Sequence, residues 1–169
     1  MTSRIKLISH RFLTFGDYEN TAQGLISALD NKVSYVEFDV RIAKCGTPVI
    51  YHDPEAIDID GVAQKINTVK YNDFSFLGGR FKTISSLDEI LDIAANHSNK
   101  KAKLLIDIKD FGYEKTIHSS VVKRKLTDKS IYVSWLPEVI YALHKITPLS
   151  KFCFSYWCKP PSETTKESH

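Results

Sequence analysis

Apolar runs and amphipathic segments alternate along most of this chain. Six short apolar runs, each bounded by polar or turn residues, predict strands at residues 4–10, 35–42, 48–53, 103–110, 130–136 and 151–158. Four stretches in which apolar side chains recur three or four residues apart predict helices at residues 19–32, 85–97, 113–126 and 137–146. Strands that alternate with helices in this way are typical of parallel βαβ units.

The character of the strands narrows the fold class. Most of the runs are continuously apolar, which is expected when both faces of a sheet are covered. A barrel and an open doubly wound sheet both fit this pattern. Residues 54–86 interrupt it and are predicted to be irregular, with "LGGR" at 77–80 as a plain turn.

Three of the predicted helices have a start signal in the sequence. Either Asn20 or Thr21 can cap the first helix. Ser86, with Glu89 three residues later, gives the second helix a capping-box pattern. Pro137 lies at the start of the last one, where its fixed φ favours a first helical turn.

Composition indicates an ordinary globular domain. A chain of 169 residues is long enough for one domain with a hydrophobic core. Its residues are 43% hydrophobic and 25% charged, as in most globular proteins. The net charge is only +3 and the basic residues are dispersed, so a nucleic-acid-binding stripe is not expected. No apolar window approaches the ~20 residues of a membrane span, and no signal peptide is predicted.

Cysteine usage points to a cellular location. Cys45, Cys153 and Cys158 match neither a disulfide framework nor a zinc motif. We therefore expect a reducing, cytoplasmic setting.

Titratable residues lie inside the apolar runs, and these carry the candidate chemistry. Glu37 and Asp39 are two apart on one strand, so they share a face of the sheet. A tight hairpin with Cys45 and Gly46 as its two loop residues would place Asp39 opposite His52. Asp107 and Lys109 share a face of a later strand in the same way.

Clustered carboxylates repel each other, and burying them without a partner is costly. A divalent cation relieves both costs, and ligands that offer only oxygen favour Mg²⁺ or Ca²⁺ over zinc. His10 and His52, beside such an ion, are suited to act as one acid and one base. Arg11 and Lys109 add positive charge for an anionic phosphoryl group. The alternative for each pair is structural: a surface pair on a half-exposed sheet for the two acids, and an ordinary salt bridge between Asp107 and Lys109.

Five motifs follow one another over roughly residues 5–156: "ISHR", "ENT", "VEFDVRIAKCGTPVIYHD", "ISSLDEIL" and "LLIDIKD". In this order they resemble the glycerophosphodiester phosphodiesterase family. The resemblance implies a TIM barrel with its site at the carboxyl ends of the strands. It also implies hydrolysis of a glycerophosphodiester to glycerol 3-phosphate and an alcohol. The implied roles are general acid and base for His10 and His52, phosphate contacts for Arg11 and Lys109, and metal ligands for Glu37, Asp39 and Asp107.

Two of the departures from the family pattern bear directly on the site. Phe12 replaces the glycine of His-Arg-Gly, which predicts a narrower pocket. Asp107 replaces a glutamate, so this ligand is one methylene shorter.

Length is the largest departure, because a TIM barrel typically needs about 250 residues. We expect an incomplete TIM-barrel-like α/β fold with about six of eight strands, formed by residues 1–158, and a polar, disordered tail at 159–169. Exposed strand edges would then favour self-association. Two alternative functions stay open. One is a truncated, catalytically impaired relative that serves as a binding or assembly module. The other is a phospholipase D-like enzyme on intact lipids, which would need an apolar rim. "FSFLGGRF" at 74–81 could provide such a rim, but the favoured interpretation is an insertion that packs against the barrel.

Overall fold

The computed structural model describes residues 5–15 and 19–156. Its strands are β1 Ile8–Ser9, β2 Tyr35–Ile42, β3 Pro48–Ile50, β4 Glu55–Ile57, β5 Ala63–Lys65, β6 Lys103–Ile108, β7 Ser130–Ser134 and β8 Lys151–Phe154. Its α-helices are α1 Ala22–Asp30, α2 Phe74–Leu77, α3 Leu87–Asn96, α4 Glu114–Lys123 and α5 Pro137–Ile146. The tail predicted at 159–169, and Cys158, lie outside the described residues.

All six predicted strands occur in one sheet. Five of them pair in parallel in the order β1-β2-β6-β7-β8, while β3 folds back antiparallel on β2. The fold is therefore the parallel α/β arrangement of a TIM barrel, and the barrel is incomplete. The first strand is much shorter than predicted, because only two residues of the run at 4–10 pair with β2.

The alternation of side chains along β2 separates the core from the chemistry. Val36, Phe38 and Val40 are fully buried and pack with residues of the helices in the main hydrophobic cluster. Glu37 and Asp39, one position away from each of these, must point to the opposite face of the sheet. The helices thus cover one face of the sheet, and the other face receives the acids.

The helices begin where the capping residues predict. Thr21 accepts a hydrogen bond from the Gly24 backbone N–H at 3.1 Å, and Ser86 accepts one from the Glu89 N–H at 3.2 Å. Thr21, and not Asn20, is therefore the cap of α1. None of the helices in the described ranges has the length and apolar character that crossing a bilayer requires.

The register of the β2–β3 hairpin differs from the prediction by one residue. Val40 pairs with Ile50, and the Tyr51 N–H donates to the Asp39 carbonyl at 3.1 Å, so Asp39 does not lie opposite His52. The loop has three residues instead of two, because the Gly46 N–H closes a turn onto the Ala43 carbonyl at 2.8 Å. Gly46 then takes a φ of 79°, as the last position of such a three-residue loop requires.

Residues 54–86 are more ordered than predicted. They contain the β4–β5 hairpin, short 3₁₀ turns and α2, and they enclose a second, smaller hydrophobic cluster. Phe74 and Phe81 of the "FSFLGGRF" segment are buried in that cluster with their ring centroids 4.9 Å apart. These two rings thus stabilise the segment and do not form an exposed rim, although Phe76 is exposed.

Candidate active site

Two neighbouring parallel strands bring three carboxylates together. Asp39 on β2 pairs in register with Asp107 on β6, and Glu37 lies two residues before Asp39 on the same face. One carboxylate oxygen from each of the three lies within 4.8 Å of the others. The convergence that the sequence predicts for Glu37, Asp39 and Asp107 is therefore present.

Burial makes this cluster electrostatically expensive. Asp39 is 1% exposed and Glu37 is 8% exposed. Burial, together with the neighbouring Asp39 charge, raises the pKa of Glu37 to about 7, even though the Arg11 backbone N–H donates to Glu37 Oε2 at 2.8 Å. A positive charge close to the three carboxylates would therefore stabilise their ionised forms.

Lys109 provides one positive charge close to the carboxylates. Its Nζ lies 2.6 Å from Asp107 Oδ2 and 2.9 Å from Asp39 Oδ1. Burial alone would lower the pKa of Lys109, but the hydrogen bonds to these two carboxylates outweigh it and raise the pKa. The ammonium group thus bridges the two paired strands.

Arg11 adds a second positive charge at the edge of the cluster. Its Nη1 donates to Glu19 Oε1 at 2.9 Å, and its Nε lies 3.5 Å from Asp39 Oδ2. Both residues that the sequence predicts as phosphate contacts therefore lie directly beside the acids.

The donor set fits a divalent cation of the Mg²⁺ or Ca²⁺ type. It offers only carboxylate oxygens, which are the ligands these ions prefer. Asp107 Oδ1 is buried and has no hydrogen-bond partner among the residues that the structure describes. A buried acceptor without a donor costs free energy, and a cation ligated at that oxygen would remove the cost.

The two candidate histidines have different surroundings. His10 Nε2 lies 3.7 Å from Glu37 Oε2, and the His10 side chain is 67% exposed, so its ring is at the edge of the cluster and open to solvent. His52 Nδ1 lies 2.7 Å from Asp53 Oδ1, and the His52 carbonyl accepts from Arg41 Nε at 2.9 Å. In the described ranges the His52 ring thus contacts Asp53 and makes no ion pair with the three acids.

Asn20 is a site residue that the sequence reasoning missed. It is 2% exposed, its Nδ2 donates to Asp39 Oδ2 at 2.8 Å, and its Oδ1 accepts from the Asp39 backbone N–H at 3.2 Å. The motif "ENT" contained the signal, but an asparagine directly before a helix is normally interpreted as a cap. Only the contact with a strand 19 residues away reveals the other role.

Phe12 does not narrow the acid side of the sheet as predicted. Arg11 and Phe12 adopt left-handed backbone conformations with φ of 50° and 63°. This turns the Phe12 ring into the core, where it is 1% exposed and its centroid is 5.5 Å from that of Phe38. Phe38 lies on the helix-facing side of β2, so the ring stabilises the fold on the face away from the acids.

Replacing Phe12 by glycine is expected to destabilise the fold by about 2 kcal/mol. Losing a buried phenyl ring costs about 3–5 kcal/mol, and glycine recovers about 1–2 kcal/mol because it adopts the left-handed conformation freely. Urea denaturation of Phe12→Gly beside the wild type measures the difference. Leu13→Ala, which removes an exposed side chain in the same segment, is the control and should change stability by less than about 0.5 kcal/mol. If Phe12→Gly is as stable as the wild type, the ring is not a core residue.

Comparisons with known proteins place the chain in one family. The model of the glycerophosphoryl diester phosphodiesterase family matches residues 8–154. Glycerophosphodiester phosphodiesterase 1 of Bos taurus is 29% identical over 161 residues, covering 84% of this chain and 46% of that protein. The chain thus spans about half the length of the curated relative that it matches.

Solved structures share the fold. A crystal structure of a Silicibacter pomeroyi protein superposes with a TM-score of 0.83 at 19% identity, covering 99% of this chain and 70% of that one. A phosphodiesterase from Oleispira antarctica, solved with the product sn-glycerol-3-phosphate, superposes with a TM-score of 0.70 at 20% identity, covering 95% and 69%. At these identities the likeness supports the fold alone.

Proposed function

Because the chain belongs to the glycerophosphoryl diester phosphodiesterase family, we propose that it hydrolyses a glycerophosphodiester to glycerol 3-phosphate and an alcohol. The observation that carries this proposal is the convergence of Glu37, Asp39 and Asp107 beside His10. The product in the Oleispira antarctica structure suggests which side of the diester keeps the phosphate.

Glu37, Asp39 and Asp107 would hold a divalent cation, Mg²⁺ or Ca²⁺. When bound, such an ion polarises the phosphoryl oxygens and neutralises the charge that develops on them. Arg11 and Lys109 contribute fixed positive charge beside Asp39. They would orient the diester and hold its anionic oxygens as the ester bond breaks.

The two histidines would divide the proton transfers. His10, at the rim of the acid cluster and open to solvent, is assigned as the general base for the attacking oxygen. His52 is assigned as the general acid for the leaving alkoxide. Its Nδ1 contact with Asp53 fixes the orientation of the ring and leaves Nε2 to donate the proton.

Two further predictions from the sequence accompany this proposal. A cytoplasmic location is supported by free thiols at Cys45 and Cys153. Self-association stays a prediction: β1 and β8 are the outer strands of the parallel sheet in the part of the chain that the structure describes, and outer strands can pair with another chain.

Hydrolysis of glycerophosphocholine and glycerophosphoethanolamine, with Mg²⁺ or Ca²⁺ and with excess chelator, tests the proposed activity. We expect release of glycerol 3-phosphate that depends on the cation. Vesicles of intact phospholipid, assayed in parallel, test the phospholipase alternative. A folded chain that binds the cation but cleaves neither substrate would favour the binding-module alternative and contradict the proposal.

A further inference from the structure

We propose that Asn20 is a positioning residue that holds the Asp39 carboxylate in the orientation required for cation binding. This inference rests on the proposed cation site, and it concerns a residue to which neither the fold nor the comparisons assign a role.

The contact between Asn20 and Asp39 is two-sided. The Asn20 amide donates to the carboxylate at 2.8 Å, and its carbonyl oxygen accepts from the backbone N–H of the same aspartate at 3.2 Å. The terminal torsion of an aspartate is broad and roughly two-fold, so its rotamer preference alone does not fix the plane of the carboxylate. The hydrogen bonds must therefore fix the plane of the Asp39 carboxylate. Asn20 makes hydrogen bonds to both the side chain and the backbone of Asp39.

The backbone around Asn20 holds its side chain in place for these two hydrogen bonds. Asn20 has a φ of 52°, a left-handed conformation that asparagine tolerates better than most residues. Its N–H donates to the Arg11 carbonyl at 2.8 Å, which ties it to the segment after β1. Since Thr21 provides the cap of α1, the Asn20 amide is available for Asp39.

The identity of the donor matters because a competing one lies close by. Arg11 Nε is 3.5 Å from Asp39 Oδ2, and it is buried without a hydrogen-bond partner among the described residues. If the Asn20 amide were removed, this guanidinium would be the nearest donor for that oxygen. Asp39 already shares its other oxygen with Lys109 at 2.9 Å, so a cationic group would then be the nearest donor to each of its two oxygens. A neutral amide secures the orientation without adding positive charge, which would repel a metal ion.

The test uses two variants that both lack the amide but differ in backbone preference. Asn20→Gly adopts the left-handed conformation freely, whereas Asn20→Ala does not. Isothermal titration calorimetry with Mg²⁺ and Ca²⁺ alone measures the dissociation constant of the folded protein. We expect both variants to bind the ion about 10–100-fold more weakly, which is the usual effect of losing a residue that orients a metal ligand. Ser86→Ala, which loses the cap of α3 away from the acids, controls for general destabilisation and should bind as the wild type does.

The outcomes separate this inference from the proposed function. Weaker binding in both Asn20 variants, with unchanged binding in Ser86→Ala, supports the positioning role whether or not the wild type cleaves a diester. Binding that is unchanged in Asn20→Gly overturns the role, even if Asn20→Ala unfolds. Weakening equal to that of Ser86→Ala also overturns it, because the effect would then be one of stability. If the wild type binds neither ion, the cation site and the role of Asn20 are both wrong.

Discussion

Replacing Asp39 by asparagine is expected to lower kcat/KM by about a thousandfold or more. Asp39 is the most buried of the three acids and the only one that contacts Lys109, Asn20 and Arg11 together. The substitution keeps the shape of the side chain but removes one of three negative charges. A bound cation supplies several kcal/mol of charge stabilisation, and each 1.36 kcal/mol is a factor of ten in rate. The measurement is steady-state hydrolysis of the best diester in the substrate panel, together with cation titration by calorimetry.

A matched control for this change lies at the other end of the sheet. Asp128 is an exposed residue just before β7, at the amino ends of the strands. Asp39 and Asp107, in contrast, lie in the carboxyl-terminal halves of β2 and β6. Asp128→Asn removes the same charge and should leave both the rate and the cation affinity unchanged. If Asp39→Asn retains full activity and binds the ion as tightly as the wild type, the three carboxylates are not a metal site.

His10→Ala is expected to reduce kcat/KM by about a hundredfold or more while leaving the cation affinity close to that of the wild type. General acid–base catalysis is typically worth about 10²–10⁴ in rate, and the imidazole lies at the rim of the acid cluster without being one of its oxygen ligands. A pH–rate profile of the wild type and the variant measures the effect, since the limb that reports the base should disappear.

His97→Ala is the matched control for the histidine. His97 pairs with Asp30 and follows α3, away from the three acids, so its loss should not change the pH–rate profile. A rate loss of less than about tenfold for His10→Ala would remove this residue from the proposed chemistry, because it is well below the usual contribution of an acid–base group.

The period of the apolar pattern accounts for how much of the fold was predictable. A continuous apolar run such as that of β6 indicates a covered strand, and the two-residue spacing of Glu37 and Asp39 places both acids on one face. The proximity of Asp39 and Asp107 then follows from the parallel pairing of neighbouring strands, because parallel strands have their carboxyl ends on the same side of the sheet. This part of the site is determined by local patterns and one topological rule.

The errors arise where the local backbone conformation or a tertiary contact decides the outcome. The hairpin register depended on whether two or three residues formed the loop, and both choices use Gly46 at positive φ. The direction of Phe12 depended on two consecutive left-handed residues, which no apolar pattern reveals. Asn20 was missed because its partner is on another element, and its position directly before a helix already had a sufficient local explanation.

The registered pairing of Asp39 with Asp107 has a consequence for the evolution of such domains. All three carboxylates belong to two adjacent strands, so the backbone ladder between β2 and β6 sets the spacing of the three positions from which they project. This spacing is present in the incomplete barrel that the structure describes. Sequence change elsewhere in the sheet is therefore compatible with an unchanged spacing of these three positions, so selection can act on the two separately.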